Sequence, residues 1–215
     1  MVDDILEQLR AAADPKVRAD MSDRYGIHTE QAFGVTMAKM KVIAKPLGTD
    51  HGLATELWAT GWYEARMIAS LIDDPAAVTS EQMDEWCAEF DNWAIVDTFC
   101  FNLFDRTPHA WSKVAQWASI DQEMVKRAGF ALLWALALHD RRAGAARFRA
   151  GLGLIEREAS DERHLVGKAI AMALRSIGKR LPEMRPEVLE LATRLAASSD
   201  RAERTIGRST IKYLS

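Results

Sequence analysis

No run of roughly 18 apolar residues occurs in the 215-residue chain, so no segment reads as a helix that spans a bilayer. The amino terminus, MVDDILEQLR, has no basic stretch leading into an apolar one, so it does not read as a secretory signal. Cysteine is scarce. Cys87 and Cys100 both lie in apolar, helix-forming surroundings, and a cytoplasmic address with both thiols reduced is expected. Metal-ligand spacing, a P-loop, a GxGxxG turn and a Cys–His pair for nucleophilic catalysis are all missing, and the five histidines are scattered. No cofactor, no metal and no membrane partner are therefore expected, and the chain is expected to act as a monomer. Sustained alternation of β-branched residues is missing too, which argues against a sheet.

What remains is helical throughout. Apolar residues at 53, 57 and 58, then at 63, 67, 68, 71 and 72, follow a helical period, and the same holds to the carboxyl terminus. The helices group in pairs beginning near residues 51, 80, 109, 144 and 182, with two shorter helices around 4–13 and 36–47. Helices of that length joined by short connections pack antiparallel. A step of roughly 30 to 40 residues marks a repeat array in which successive pairs bury one another's apolar faces and leave a concave surface. The reading is an all-α superhelical solenoid of antiparallel helix pairs, one domain over 1–215 with about five pairs after residue 50. A compact helical bundle is the competing architecture.

The net charge of −3 hides an asymmetry. Residues 1–120 carry 10 Lys and Arg against 19 Asp and Glu, a net of −9; residues 121–215 carry 18 against 12, a net of +6. A basic half can attract phosphate even on an acidic protein, although such a gradient can also be incidental. Counted from the aromatic that ends each first helix, Arg66 lies 8 residues on, Asp97 lies 7 and Arg127 lies 10, so successive second helices offer Arg, Asp and Arg at similar heights. Lys168, Met172, Arg175 and Lys179 share one helix face, as do Arg204, Arg208 and Lys212. Basic stripes of this kind suit a nucleic-acid backbone or, equally, a solvated surface.

Asp97 is the one carboxylate within WAIVDTFCFNLF, residues 93–104. A carboxylate among apolar neighbours needs a cation partner, such as Arg127 or Arg66, or a use in a site. Trp93 precedes it by one turn, and an indole beside a carboxylate can receive a cationic group.

The order of AFGV at 32–35, ELWATGWYEARMIASLI at 56–72, FDNWAIVDTF at 90–99, VKRAGFALLWAL at 125–136 and GKAIAMALRSIGK at 167–179 resembles the DNA alkylation repair family. That resemblance implies HEAT-like helical repeats and a DNA glycosylase that removes cationic N3- or N7-alkylated purines from duplex DNA. It implies Trp93 and Asp97 as active-site residues, Arg127 as the holder of a phosphate near the lesion, and capture of the lesion on an open concave face. One position departs from the family pattern: Met172 stands where its glycosylases carry a second tryptophan. Trp134, seven residues beyond Arg127 on the same face, is a candidate to replace it. Together with Arg66, the basic residues Lys168, Arg175, Lys179, Arg208 and Lys212 are the expected DNA contacts. A non-catalytic solenoid binding nucleic acid or protein through the same groove is the alternative.

Overall fold

The computed structural model describes residues 1–215 and contains thirteen α-helices and no strand. Three helices precede residue 50: α1 (Val2–Ala11), α2 (Pro15–Asp23) and α3 (Met37–Ala44). Five pairs follow: α4 (His51–Ala59) with α5 (Tyr63–Ile72), α6 (Ser80–Ala88) with α7 (Trp93–Asn102), α8 (Ala110–Ala118) with α9 (Glu123–His139), α10 (Ala145–Glu158) with α11 (His164–Arg180), and α12 (Arg185–Ala197) with α13 (Arg201–Leu214). Connections of three to five residues join the two helices of each pair. The pair positions match the periodic reading. Helix α2 does not, because two early helices were expected and three form. It buries only Met21, so its apolar signal is weak. Its start is nonetheless written in the sequence as Asp14-Pro15, where Asp14 caps the Lys16 amide at 2.9 Å and Pro15 takes the first helical position. No helix is long and apolar enough to cross a membrane.

The helices group into two compact units, Met1–Pro108 and His109–Ser215. The first is organised around aromatic rings. Trp58 of α4 and Trp86 of α6 stack with centroids 4.6 Å apart, and Phe99 of α7 meets both edge-on at 5.2 and 5.6 Å. Offset stacking and edge-on packing are the favoured arrangements of such rings, so the three side chains lock α4, α6 and α7 together. Cys87 and Cys100 are buried thiols within the same helices.

A second brace fixes the AFGV segment. The carboxylate of Glu64, fully buried on α5, accepts from the amides of Phe33 (3.0 Å), Gly34 (2.8 Å) and Val35 (3.1 Å). A buried anion that receives three backbone amides is compensated by charge-assisted bonds and holds the loop rigidly. Gly34 is required there. Its φ of +84° suits glycine, and a Cβ would lie 2.7 Å from the Asp14 carbonyl oxygen.

In the second unit α9 is central and buried on nearly all sides, packing against α8 and α11. Gly129 allows the close approach of α8, since a Cβ at that position would lie 2.5 Å from the Ala118 amide nitrogen. Lys126 of α9 is buried and paired with Glu158 at 2.7 Å and Asp161 at 3.6 Å, which ties α9 to the turn between α10 and α11.

Candidate functional site

Helix α7 begins where Asn92 caps it. The buried Asn92 side chain accepts from the amides of Ala94 and Ile95, both at 3.1 Å. That cap places Trp93 in the first turn and Asp97 one turn further along the same face. Both side chains are half-buried, whereas Val96 and Phe99 between and beyond them are sealed in the core. The indole N–H of Trp93 donates to the Tyr25 carbonyl at 2.9 Å, which orients the ring.

Arg66, on α5, is occupied by its own unit. Its guanidinium lies 4.2 Å from the Trp58 ring, Nε donates to the Trp58 carbonyl at 3.3 Å, and Nη2 pairs with Glu89 at 2.5 Å. Arg127 is 1% exposed, and its Nη1 donates to the Leu165 carbonyl at 2.6 Å, joining α9 to the first turn of α11. Contact with a phosphate would require this guanidinium to leave that carbonyl. Trp134, one face-repeat further along α9, is half-buried.

The stripe on α11 opens onto a groove. Between α11 and α13 the second unit encloses a cleft of about 760 Å³, and Lys168, Met172 and Arg175 line one wall. Arg201, Thr205 and Ser209 line the other. Met172, Ala171 and Ile206 make an apolar floor, with the cations at the rim. Arg208 and Lys212 are exposed on α13 outside the lining, and Lys179 is exposed beyond the end of the cleft. Arg204, spaced to join them, turns back instead and donates to the carbonyls of Ser198 and Ser199 at the end of α12.

The charge balance of these helices is uneven. Arg149, Arg157, Arg163, Arg194 and Lys126 all form ion pairs with carboxylates elsewhere in the unit. Arg175, Lys179, Arg201, Arg208 and Lys212 form none. At the mouth of the cleft Asp161 is neutralised locally: the hydrogen bond from Arg163, at 2.5 Å, holds its carboxyl below the usual range, with Lys126 adding to the effect. Arg201, Thr205, Ser209 and Tyr213 were missed in the sequence, although their spacing of four along one helix was readable there.

Chemically, the two places differ. Helix α7 offers one anion beside an oriented indole, and the α11–α13 cleft offers an apolar floor with Arg175 and Arg201, neither paired with a carboxylate, beside it. No cluster of three or more His, Cys, Asp or Glu side chains is arranged to hold a metal ion.

A family model described as DNA alkylation repair enzyme matches residues 5–214. The chain belongs to that family. As a DNA alkylation repair family member it also shares the fold of a solved structure described as belonging to "a new family of proteins related to the HEAT-like repeat DNA glycosylases with affinity for branched DNA structures". The TM-score is 0.81 at 20% identity, over 98% of this chain and 94% of the other. At that identity the likeness concerns the fold, and it makes this family member an all-α protein of HEAT-like helix pairs. No match to a curated protein is found.

Proposed function

We propose that the protein binds DNA along α11 and α13 and hydrolyses the N-glycosidic bond of cationic, N3- or N7-alkylated purines with Asp97 as the catalytic anion. The five cations on α11 and α13 that have neither a carboxylate nor a backbone-carbonyl partner, Arg175, Lys179, Arg201, Arg208 and Lys212, carry the binding half of this reading. None forms an ion pair with a carboxylate, and a polyphosphate backbone can meet all of them at once.

The chemical half rests on α7. Ordinary glycosides need an acid and a second carboxylate because the departing oxygen must be protonated. A purine alkylated at N3 or N7 is already positive. When the bond from C1′ to the base breaks, the base takes the electron pair and leaves neutral. One carboxylate then suffices. Asp97 offsets the developing oxocarbenium charge, orients the water that adds to C1′ and accepts the proton that water gives up, while Trp93 faces the cationic sugar or base. Arg127 serves as a positioning residue behind α11, through its bond to Leu165.

A second reading is favoured by Met172 in the cleft, where the glycosylases that this chain resembles carry tryptophan. Under it the protein binds DNA without cleaving it, and a branched form of DNA, as described for the solved relative, is the ligand to try.

One experiment separates the two. Release of 7-methylguanine and 3-methyladenine from duplex DNA is measured beside affinity for a duplex and a four-way junction of equal length. The first reading expects base release above the no-enzyme control. Wild type matching that control on both adducts, with DNA still bound, overturns it in favour of the second.

A further inference from the structure

Tyr213 is half exposed on the last turn of α13, one turn beyond Ser209 at the end of the cleft. Two cations from α11 lie against its ring. The Arg175 guanidinium carbon is 5.6 Å from the ring centroid and the Lys179 ammonium is 5.4 Å from it. Lys179 also donates to the Tyr213 hydroxyl at 3.2 Å. Neither cation has a carboxylate partner, and the Arg175 Nε has no hydrogen-bond partner at all. The exposed ring of Tyr213 thus has two cations against it, neither of them paired with a carboxylate.

We propose that Tyr213 is a stacking platform for an unpaired DNA base, with Arg175 and Lys179 holding the phosphates on either side of that nucleotide. The inference rests on the reading that α11 and α13 bind DNA, and it deepens that reading by naming single-stranded DNA as a ligand of this end of the cleft. Three features fit an unpaired nucleotide better than a closed duplex. A base inside a duplex offers only its edges, whereas an unpaired base offers a ring face, and Tyr213 keeps half of its surface open to meet one. The cleft leading to it has an apolar floor of Met172, Ala171 and Ile206, which suits the unstacked bases that follow. Phosphates need cations alongside the platform, and both are supplied from α11 at a spacing of one helical turn.

The test uses the full chain, a fully paired duplex, and the same duplex with a short single-stranded gap that carries 2-aminopurine. The gapped DNA is expected to bind more tightly than the duplex, and 2-aminopurine fluorescence is expected to fall on binding as the base stacks. Tyr213→Ala should lower affinity for the gapped DNA by roughly 5- to 100-fold and abolish the fluorescence change, the range that loss of one base–aromatic stack produces. Tyr213→Phe should retain most of both, because the ring is kept, and duplex affinity should move less than about 2-fold in either variant. Gapped and intact duplex binding equally, or Tyr213→Ala leaving gap affinity and fluorescence unchanged, overturns the platform while leaving duplex binding intact. Wild type binding neither DNA overturns the parent reading and the platform together.

Discussion

The indole N–H of Trp93 donates to the backbone carbonyl of Tyr25 at 2.9 Å, so the ring that precedes Asp97 on α7 is held by the loop after α2. The carbonyl belongs to the main chain and cannot be removed by substitution, whereas the donor can. Trp93→Phe keeps an apolar ring but loses the N–H and the stronger quadrupole of indole. Base release is expected to fall about 10-fold, within the combined range of a neutral hydrogen bond and a cation–π contact. DNA affinity should change by less than about 2-fold. Single-turnover release on a 7-methylguanine duplex beside a binding titration checks both.

Asp97→Asn preserves shape and removes charge. If Asp97 supplies the preorganised stabilisation, the rate falls about 100- to 1000-fold while DNA binding holds or tightens, because one anion near phosphate is gone. Met172→Trp restores a ring on the cleft wall and should raise base release. Opposite movements of these two variants on one substrate support the glycosylase reading. Release at the spontaneous rate from wild type and both variants removes it.

The cations of α11 and α13 make a quantitative prediction about salt. If all five each neutralise one phosphate, the logarithm of the duplex binding constant falls against the logarithm of salt with a slope of about −4.5. Arg175→Glu combined with Arg208→Glu should flatten that slope by about 2 and weaken binding to all sequences alike. An unchanged slope in a salt titration would show that this face does not meet the DNA.

Two buried or half-buried aspartates respond to pH in opposite directions. Asp161 is held below its ordinary value of 3.8 by the Arg163 hydrogen bond, so its stabilisation is present above pH 3.8 and is lost as pH falls towards its folded value. Asp73 is raised above 3.8, chiefly by burial and despite its 2.6 Å contact with His51. The folded state then binds more protons just above pH 3.8, and stability from this group falls as pH rises through that window. Asp161→Asn should therefore flatten the acid-side loss of stability, and Asp73→Asn should remove a slope of the opposite sign. Denaturant midpoints followed from about pH 2.5 to about pH 7 test each variant.

Two substitutions probe the frame that carries the sites. Gly129→Ala forces apart α8 and α9 at the Ala118 backbone and should cost about 1–3 kcal/mol, the usual penalty of overpacking. Glu64→Gln replaces one of the carboxylate oxygens that receive the amides of residues 33–35 with a donor. It should cost about 1.5–3 kcal/mol and loosen the AFGV loop. Chemical denaturation checks both, and hydrogen exchange at residues 33–35 separates the loop effect from a global one.

The positions of the five helix pairs were legible because periodicity is local: each amphipathic face repeats within a few turns, whatever it later packs against. The same holds for the Lys168, Met172, Arg175 and Lys179 stripe, since a shared face follows from spacing alone. Helix α2 escaped because its evidence was a cap, Asp14-Pro15, and not an apolar face. Arg204 escaped in the other direction: it has the spacing of a stripe but turns back to satisfy carbonyls at the end of α12.

By itself the sequence determined the all-α class, the register of the pairs and the pairing of Trp93 with Asp97 on one helical turn, all of which depend on residues close along the chain. Only the tertiary structure decided which charges are spent. Arg66 and Arg127 stand at similar heights in successive second helices, yet Arg66 stacks on Trp58 and pairs with Glu89, while Arg127 is buried against Leu165. The wall that Arg201, Thr205 and Ser209 add to the cleft, and the setting of Tyr213 against Arg175 and Lys179, were likewise decided by α13 packing against α11. A cation's partners are set by side chains dozens of residues away, and nothing in local spacing reports whether a distant carboxylate or carbonyl will arrive to meet it.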